Sequence, residues 1–184
     1  MDAADEFDVV VICSGNRFRS PIAEAVLRRE ADGLPVRVRS FGTMDLPSGH
    51  ALSQAIELAP DYGLDLMSHR SRSIAGEDLS DADLVIGFEH IHVSRAVVGA
   101  GAQRERTFLM TELVAGLDES APSQEDGVVE RARAAVREAD EAREAASRIP
   151  QEIADPIGGP SARYRKTADE VYRLTTQVAE RLFG

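Results

Sequence analysis

The chain has one cysteine, Cys13, and one lysine, Lys166, among its 184 residues. A single thiol excludes an intrachain disulfide and any zinc site built from several cysteines, so if Cys13 has a task it performs it alone. All other basic residues are arginine, which reads as compositional drift in an Ala/Arg-rich sequence. Positive charge is also short overall. At a net charge of −11 duplex nucleic acid is repelled on average, and no nucleic-acid partner is expected. No apolar run approaches the roughly eighteen residues a membrane span needs, so no membrane association is expected either. The N-terminal "MDAADEFD" lacks the basic and apolar regions of a signal peptide, which predicts a cytoplasmic protein. Two nucleotide signatures are missing as well: there is no G-x-x-x-x-G-K-[ST], and no G-x-G-x-x-G follows the first strand. His90 and His92, two apart on a helix, point to different sides, and neither a metal nor another cofactor is expected.

What is present suits an ordinary globular protein, with 43% hydrophobic and 29% charged residues. The length favours one domain over residues 1–184. "FDVVVIC" is a valine-rich apolar run of the kind buried in a parallel sheet. A short loop, "SGNRFR", leads to a helix that opens at Ser20-Pro21, where proline's missing N–H costs nothing. Ile22, Ala23, Val26 and Leu27 form its inward face, and Gly33 stops it. "PVRVRS" alternates as a second strand, and "HALSQAIELAPDYGL" reads as one helix closing before Gly63. "ADLVIGF" and "ERTFLM" give two more strands, separated by a helix from about Glu89 to Val98. The last helix carries Tyr164, Val171, Leu174, Val178 and Leu182 at helical spacing. These elements predict an α/β fold: a four-stranded parallel sheet, doubly wound with helices on both faces, and a loop of functional interest after the first strand.

Residues 118–150 read as a charged, helix-rich insertion. "DESAPSQEDG" is a polar connector. The following segment is half charged, with a narrow stripe of Val129, Ala132, Val136, Ala139 and Ala146. Small residues at this spacing can pack closely on a neighbour, but so charged a segment reads first as a solvated surface helix, with a dimer or lid element as the alternative.

The loop after the first strand concentrates the chemistry. Cys13 and Arg19 are spaced Cys-x5-Arg, weak by itself in so arginine-rich a chain. The context adds the weight. A strand-to-helix loop aims consecutive N–H groups inward as a nest for a tetrahedral oxyanion, and the positive end of the next helix points the same way. Gly15 allows close backbone approach and Asn16 tolerates a left-handed conformation. A thiol in that field is expected to be reactive rather than an inert core residue, and Arg19 can hold two phosphate oxygens at once.

"VICSGNRFRSPIAEA" resembles the phosphate loop of the low molecular weight protein tyrosine phosphatases, whose pattern is a strand, C-x-G-N-x-C-R-S-P, and A-E in the helix. "RSFGT" resembles that family's S-A-G-T, and "GLDLMSHRSRSI" its G-I-x-x-S-x-H-x-[AS]-R. "DLVIGFEH" resembles the strand ending in Met-Asp or Met-Glu, and "ADPIGG" the D-P-[FYW]-G loop. The landmarks stand in family order and span the chain except for residues 118–150. The resemblance implies hydrolysis of phosphotyrosine-type aryl phosphate monoesters through a phosphocysteine intermediate. It makes Cys13 the nucleophile, Arg19 the phosphate clamp and Asp155 the general acid and then base. The N–H groups of Ser14, Gly15, Asn16, Arg17, Phe18, Arg19 and Ser20 fall in the phosphate-binding loop. Ser20 would also donate to the thiolate, while Asn16, Ser40 and His69 would support the loop. The implied partner is a phosphorylated protein, such as a tyrosine kinase target, met by a monomer or weak homodimer.

The sequence also departs from the family. Phe18 replaces the second loop cysteine, and Arg17 replaces a neutral residue, which would place a positive side chain at the mouth. The aromatic wall is thinned to Met44, Leu46 and Ile157. Two other readings stand beside the phosphatase: an arsenate reductase coupled to an external thiol, because some share this fold, and an inactive phosphate-binding module.

Overall fold

The structure is a computed structural model and describes residues 6–119, 125–145 and 149–184. The acidic stretch through residue 5, much of the polar connector and Ala146 lie outside these ranges.

β1 (Phe7–Cys13) is buried along its whole length, as a strand apolar on both faces must be when both faces of its sheet are covered. Val9, Val11 and Cys13 enter the larger core, and Val10 and Ile12 enter a smaller core on the other side. β1 pairs in parallel with β2 (Val36–Gly42) and with β3 (Leu84–Gly87), and β4 (Thr107–Leu109) pairs in parallel with β3. The strand order is β2-β1-β3-β4. The order therefore reverses at β1, and ligand sites in such sheets lie beyond the carboxyl ends of the strands at that switch point. Cys13 stands there.

α1 (Arg19–Glu30) buries Ile22, Ala23, Val26 and Leu27, the face the sequence predicts. α6 (Ser161–Phe183) likewise buries Tyr164, Val171, Leu174, Val178 and Leu182. Both help to cover the larger core. The smaller core is roofed by Ile74, Leu79 and Ala82 and by Ala96, Ala100 and Ala102. The last three belong to or follow α3 (His90–Ser94), which continues as a π-helical turn over Arg95–Gly99.

Three elements differ from the sequence reading. The helix expected over 50–64 is shorter: α2 is Ser53–Leu58, followed by a 3-10 turn over Ala59–Tyr62. Leu52 is extended, and its N–H donates to the Arg17 carbonyl at 2.8 Å, which delays the start. Pro60 lacks the N–H that an α-helix would need there. The second difference is α4 (Met110–Glu119), which was not foreseen and takes in the first two residues of the expected connector. Its Met110, Leu113 and Leu117 are buried, and the Glu112 carboxylate accepts the Leu109 N–H at 3.2 Å.

The third difference is the setting of α5 (Val128–Ala145). Val129, Ala132, Val136 and Ala139 are buried in the larger core, so this is not a solvated surface helix, nor is that stripe free for a partner. Gly116 of α4 makes the contact feasible. A Cβ there would lie 2.9 Å from the Ala139 carbonyl oxygen and 3.0 Å from its Cα, too close for any side chain without parting the helices. Among the described residues no helix is long and apolar enough to cross a membrane.

Candidate active site

The loop from Ser14 to Phe18 leaves the end of β1 and enters α1. Backbone packing sets its path. Thr43 N–H donates to the Cys13 carbonyl and Met44 N–H to the Ser14 carbonyl, both at 2.9 Å. Gly42 lies directly beneath: a Cβ on it would meet Gly15 C and Ser14 O at 2.9 Å and Asn16 N at 3.0 Å. The loop can sit this low only over a glycine.

Asn16 is the keystone. It is fully buried and is the one non-glycine residue with positive φ, 52°, among those described. A left-handed asparagine survives when its side chain finds local partners. Here Nδ2 donates to Ser20 Oγ at 2.9 Å and to Ser40 Oγ at 2.7 Å, and Oδ1 accepts the Arg72 N–H at 2.9 Å. His69 Nε2–H donates to the Asn16 carbonyl at 2.8 Å, and burial pushes the His69 pKa down. Ser40 in turn donates to the Glu24 carboxylate. The expected support set of Asn16, Ser20, Ser40 and His69 thus converges, with Glu24 and the Arg72 backbone as members that sequence reading missed.

The same loop holds the thiol. Cys13 Sγ lies 3.0 Å from Ser20 Oγ and accepts the Asn16 N–H at 3.2 Å. Arg19 is 1% exposed, a cation out of water that needs full compensation. Its Nη1 reaches the Ile153 carbonyl at 2.7 Å and Glu89 Oε2 at 3.0 Å. Its Nη2 reaches Ser14 Oγ at 3.0 Å and Asp155 Oδ2 at 2.6 Å. The segment bearing Asp155 is fastened to the end of β3, because Ile153 N–H donates to the Phe88 carbonyl at 2.9 Å. Asp155 Oδ1 accepts the Ile157 N–H at 3.0 Å, fixing the turn at Pro156.

Glu89 and His92 are the site residues that sequence reading passed over. The signal for Glu89 was its place just after a parallel strand, at the same sheet end as Cys13. His92 is fully buried. Burial, and then the nearby Arg19 charge, push its pKa down to about 3, so the imidazole is neutral across the physiological range.

Cys13, Ser14, Arg19 and Asp155 line one cleft of about 400 Å³, whose walls include Met44, Leu46, Leu52 and Ile157. The exposed Met44, Leu46 and Ile157 give it an aliphatic rim. Arg17 lines the cleft as well, with its guanidinium hydrogen-bonded in place. Its Nη2 donates to the Pro47 carbonyl at 2.8 Å, and its Nε lies 3.5 Å from Ser71 Oγ, tying down the segment that carries Leu46. Phe18 turns inward, 3% exposed, with its ring edge-on to Tyr164 at 5.3 Å.

A thiol and a buried arginine that pairs with the Glu89 and Asp155 carboxylates share a strand-to-helix nest, forming an oxyanion site with a nucleophile at its floor. The sequence profile of the low molecular weight phosphotyrosine protein phosphatases matches residues 8–126. The chain belongs to that family. A protein-arginine-phosphatase of Bacillus subtilis is 30% identical over 95% of this chain and 96% of its own length. The low molecular weight protein-tyrosine-phosphatase Etp of Escherichia coli is 33% identical over 55% of this chain and 67% of its own. Among solved structures, a mutant of YwlE from Bacillus subtilis superposes with a TM-score of 0.70 at 28% identity, covering 96% of this chain and 99% of that one. This low molecular weight phosphatase is accordingly a cysteine-based enzyme acting on phosphorylated protein, with the four-stranded fold of its relatives.

Proposed function

We propose that Cys13 attacks the phosphorus of an aryl phosphate monoester, and that Asp155 delivers a proton to the leaving oxygen. The observation that carries this is Arg19 Nη2, which joins Asp155 to the loop holding the thiol inside one cleft. The N–H groups from Ser14 to Ser20, Asn16, Arg17 and Phe18 included, cradle the phosphoryl oxygens together with Arg19. When phosphate enters, the Nη2–H now on Asp155 turns to a phosphoryl oxygen and releases the carboxyl for acid catalysis. The S–P bond forms as the P–O bond breaks, giving phosphocysteine and a phenol. Water then attacks phosphorus, Asp155 accepts its proton, and the thiolate leaves. Ser20 donates to that thiolate, and Asn16, Ser40 and His69 keep the loop in shape.

The preferred substrate is a phosphotyrosine protein, encountered in the cytoplasm by a monomer or weak homodimer. One observation favours phosphoarginine proteins as a second substrate class. The Bacillus subtilis relative matched over 96% of its length is a protein-arginine-phosphatase, and the exposed Met44, Leu46 and Ile157 of the cleft here are aliphatic. The Arg17 charge, which also lines the cleft, opposes a cationic phosphoarginine and is the observation against this second class. Matched phosphotyrosine and phosphoarginine peptides, compared by kcat/KM, decide between them. Cys13→Ser abolishes turnover on either. Asp155→Asn slows aryl phosphates more as the leaving phenol becomes more basic; equal losses across the series would remove Asp155 from the acid role. Arsenate reduction with an added thiol tests the reductase alternative, and phosphopeptide binding without turnover tests the inactive module.

A further inference from the structure

The chemistry above uses only the backbone N–H of Ser14. Its side chain is held just as closely. Ser14 Oγ lies 3.0 Å from Arg19 Nη2 and 3.1 Å from His92 Nε2. The state of the imidazole follows from its other nitrogen. His92 Nδ1 faces the N–H groups of Phe88 at 3.2 Å and Glu89 at 3.1 Å. Both are donors, so Nδ1 is the acceptor and the ring proton sits on Nε2. From there it points at Ser14 Oγ, with Glu89 Oε2 beside it at 3.3 Å.

The hydroxyl therefore meets two donors, an arginine N–H and an imidazole N–H, and both lone pairs of Oγ are taken. Only its hydrogen is left to direct. Two of the four tetrahedral positions around Oγ are filled by Arg19 and His92, which are 1% and 0% exposed, and a third by its own Cβ. The fourth is left for the hydroxyl hydrogen, on a residue that lines the cleft with Cys13, Arg19 and Asp155. Arg19 Nη2 carries two hydrogens, one on Ser14 and one on Asp155. Phosphate competes with Asp155 and leaves the Ser14 contact in place.

We propose that the Ser14 hydroxyl is a catalytic hydrogen-bond donor to the phosphoryl oxygen nearest Arg19 Nη2, and that His92 is the positioning residue that holds it as a donor. The proposal rests on the reading of Cys13 and Arg19 as nucleophile and clamp. No proton is transferred: Ser14 keeps its hydrogen throughout, and the bond strengthens as charge builds on the oxygen. A neutral ring is what this task requires, because an imidazolium would place a second hydrogen on Nδ1 against the two backbone N–H groups. His92 is neutral down to a pKa of about 3.

The experiment is steady-state hydrolysis of an aryl phosphate by wild type, Ser14→Ala and Ser14→Thr, with vanadate inhibition measured in parallel. Losing one preorganised donor costs kcat about tenfold, less than where a donor acts alone because the loop N–H groups share the load. Ser14→Ala therefore loses about tenfold in kcat and binds vanadate more weakly, and it also unfolds at lower temperature because Arg19 and His92 lose an acceptor, while Ser14→Thr recovers most of all three. A merely structural role would shift the unfolding temperature and leave vanadate affinity alone. His92→Leu lowers kcat as well, and adding it to Ser14→Ala costs little more, since the two act through one hydroxyl. Wild-type kcat and vanadate affinity in Ser14→Ala overturn the proposal while leaving the phosphatase reading intact. A wild type inert toward aryl phosphate, phosphotyrosine and phosphoarginine refutes the reading beneath it, and the proposal falls with it.

Discussion

Replacing Phe18 with cysteine would supply the second thiol that the loop lacks. The structure sets what that substitution costs. Phe18 is 3% exposed, belongs to the larger core and meets Tyr164 edge-on at 5.3 Å. Truncating a buried phenylalanine to alanine costs about 3–5 kcal/mol, and a cysteine sulfur refills part of the space, leaving a loss of about 3 kcal/mol. For a domain of this size that is a fall in Tm of roughly 6–12 °C. A second cost reaches the chemistry. The Tyr164 hydroxyl accepts the Gly158 N–H at 3.3 Å, so the ring that Phe18 supports also steadies the turn bearing Asp155, and kcat falls modestly.

Against these costs stands a gain in redox recovery. Cys13 is the chain's only thiol, so peroxide carries it through sulfenic to sulfinic acid with no internal partner to intercept it. Wild type exposed to peroxide alone therefore stays largely inactive after dithiothreitol, whereas a small thiol present during exposure protects it as a mixed disulfide. Phe18→Cys regains activity with dithiothreitol where the new thiol traps the sulfenic acid. Urea unfolding under reducing conditions and activity after peroxide followed by dithiothreitol give the two readouts. A stability loss under about 1 kcal/mol would refute the packing argument. Wild type that recovers after peroxide alone would refute the redox argument.

Gly42→Ala forces a methyl group into the backbone of Ser14, Gly15 and Asn16, so it lowers kcat at least tenfold while circular dichroism stays native; an active Gly42→Ala enzyme would show that the loop can rise without penalty. Arg17→Thr frees the Pro47 carbonyl and loosens the wall that carries Leu46, raising KM with little change in kcat. Because Arg17 lines the cleft, preference also shifts away from acidic phosphopeptides in this variant, and an unchanged preference would show that the Arg17 charge does not reach the substrate. As pH falls from about 6.5 toward 3, unfolded His92 takes up a proton that the folded ring refuses, so stability drops by up to roughly 1.4 kcal/mol per pH unit. His69, also lowered by burial, adds to the loss with the same sign. Urea midpoints of wild type and His92→Leu between pH 7 and 4 check this, since the variant must show the shallower slope.

The strands and the loop were legible because their signals are local. A valine-rich run ending in Cys-Ser-Gly-Asn, followed by Ser-Pro, fixes strand, turn and helix start within a dozen residues, and both cores take β1 as that run implies. What escaped depends on pairs of distant segments. α5 reads as solvated by itself because it is half charged and its buried stripe is narrow, with alanine at two of four positions, and only α4, with Gly116 opposite Ala139, makes that stripe an interior face. α2 starts late because the Arg17 carbonyl holds the Leu52 N–H, a tie from a loop some thirty-five residues earlier in the chain.

His92 shows the same limit at the site. Its spacing from His90 argued correctly that the two side chains diverge, but that argument addresses only a shared metal. A histidine alone on its face acquires meaning from what the sheet brings opposite it. Here β1 and β3 lie side by side, with Ile12 in register with Gly87, so the residues just past their ends meet. A Cβ on Gly87 would press on the His92 Cβ at 2.9 Å, and Ser14 Oγ waits at 3.1 Å on the other side of the ring. Glycine at the end of β3 lets α3 fold back closely enough for its imidazole to reach the loop after β1. The contact between Ser14 and His92 thus follows from strand pairing at the switch point, a relation between residues 78 positions apart that no local pattern encodes.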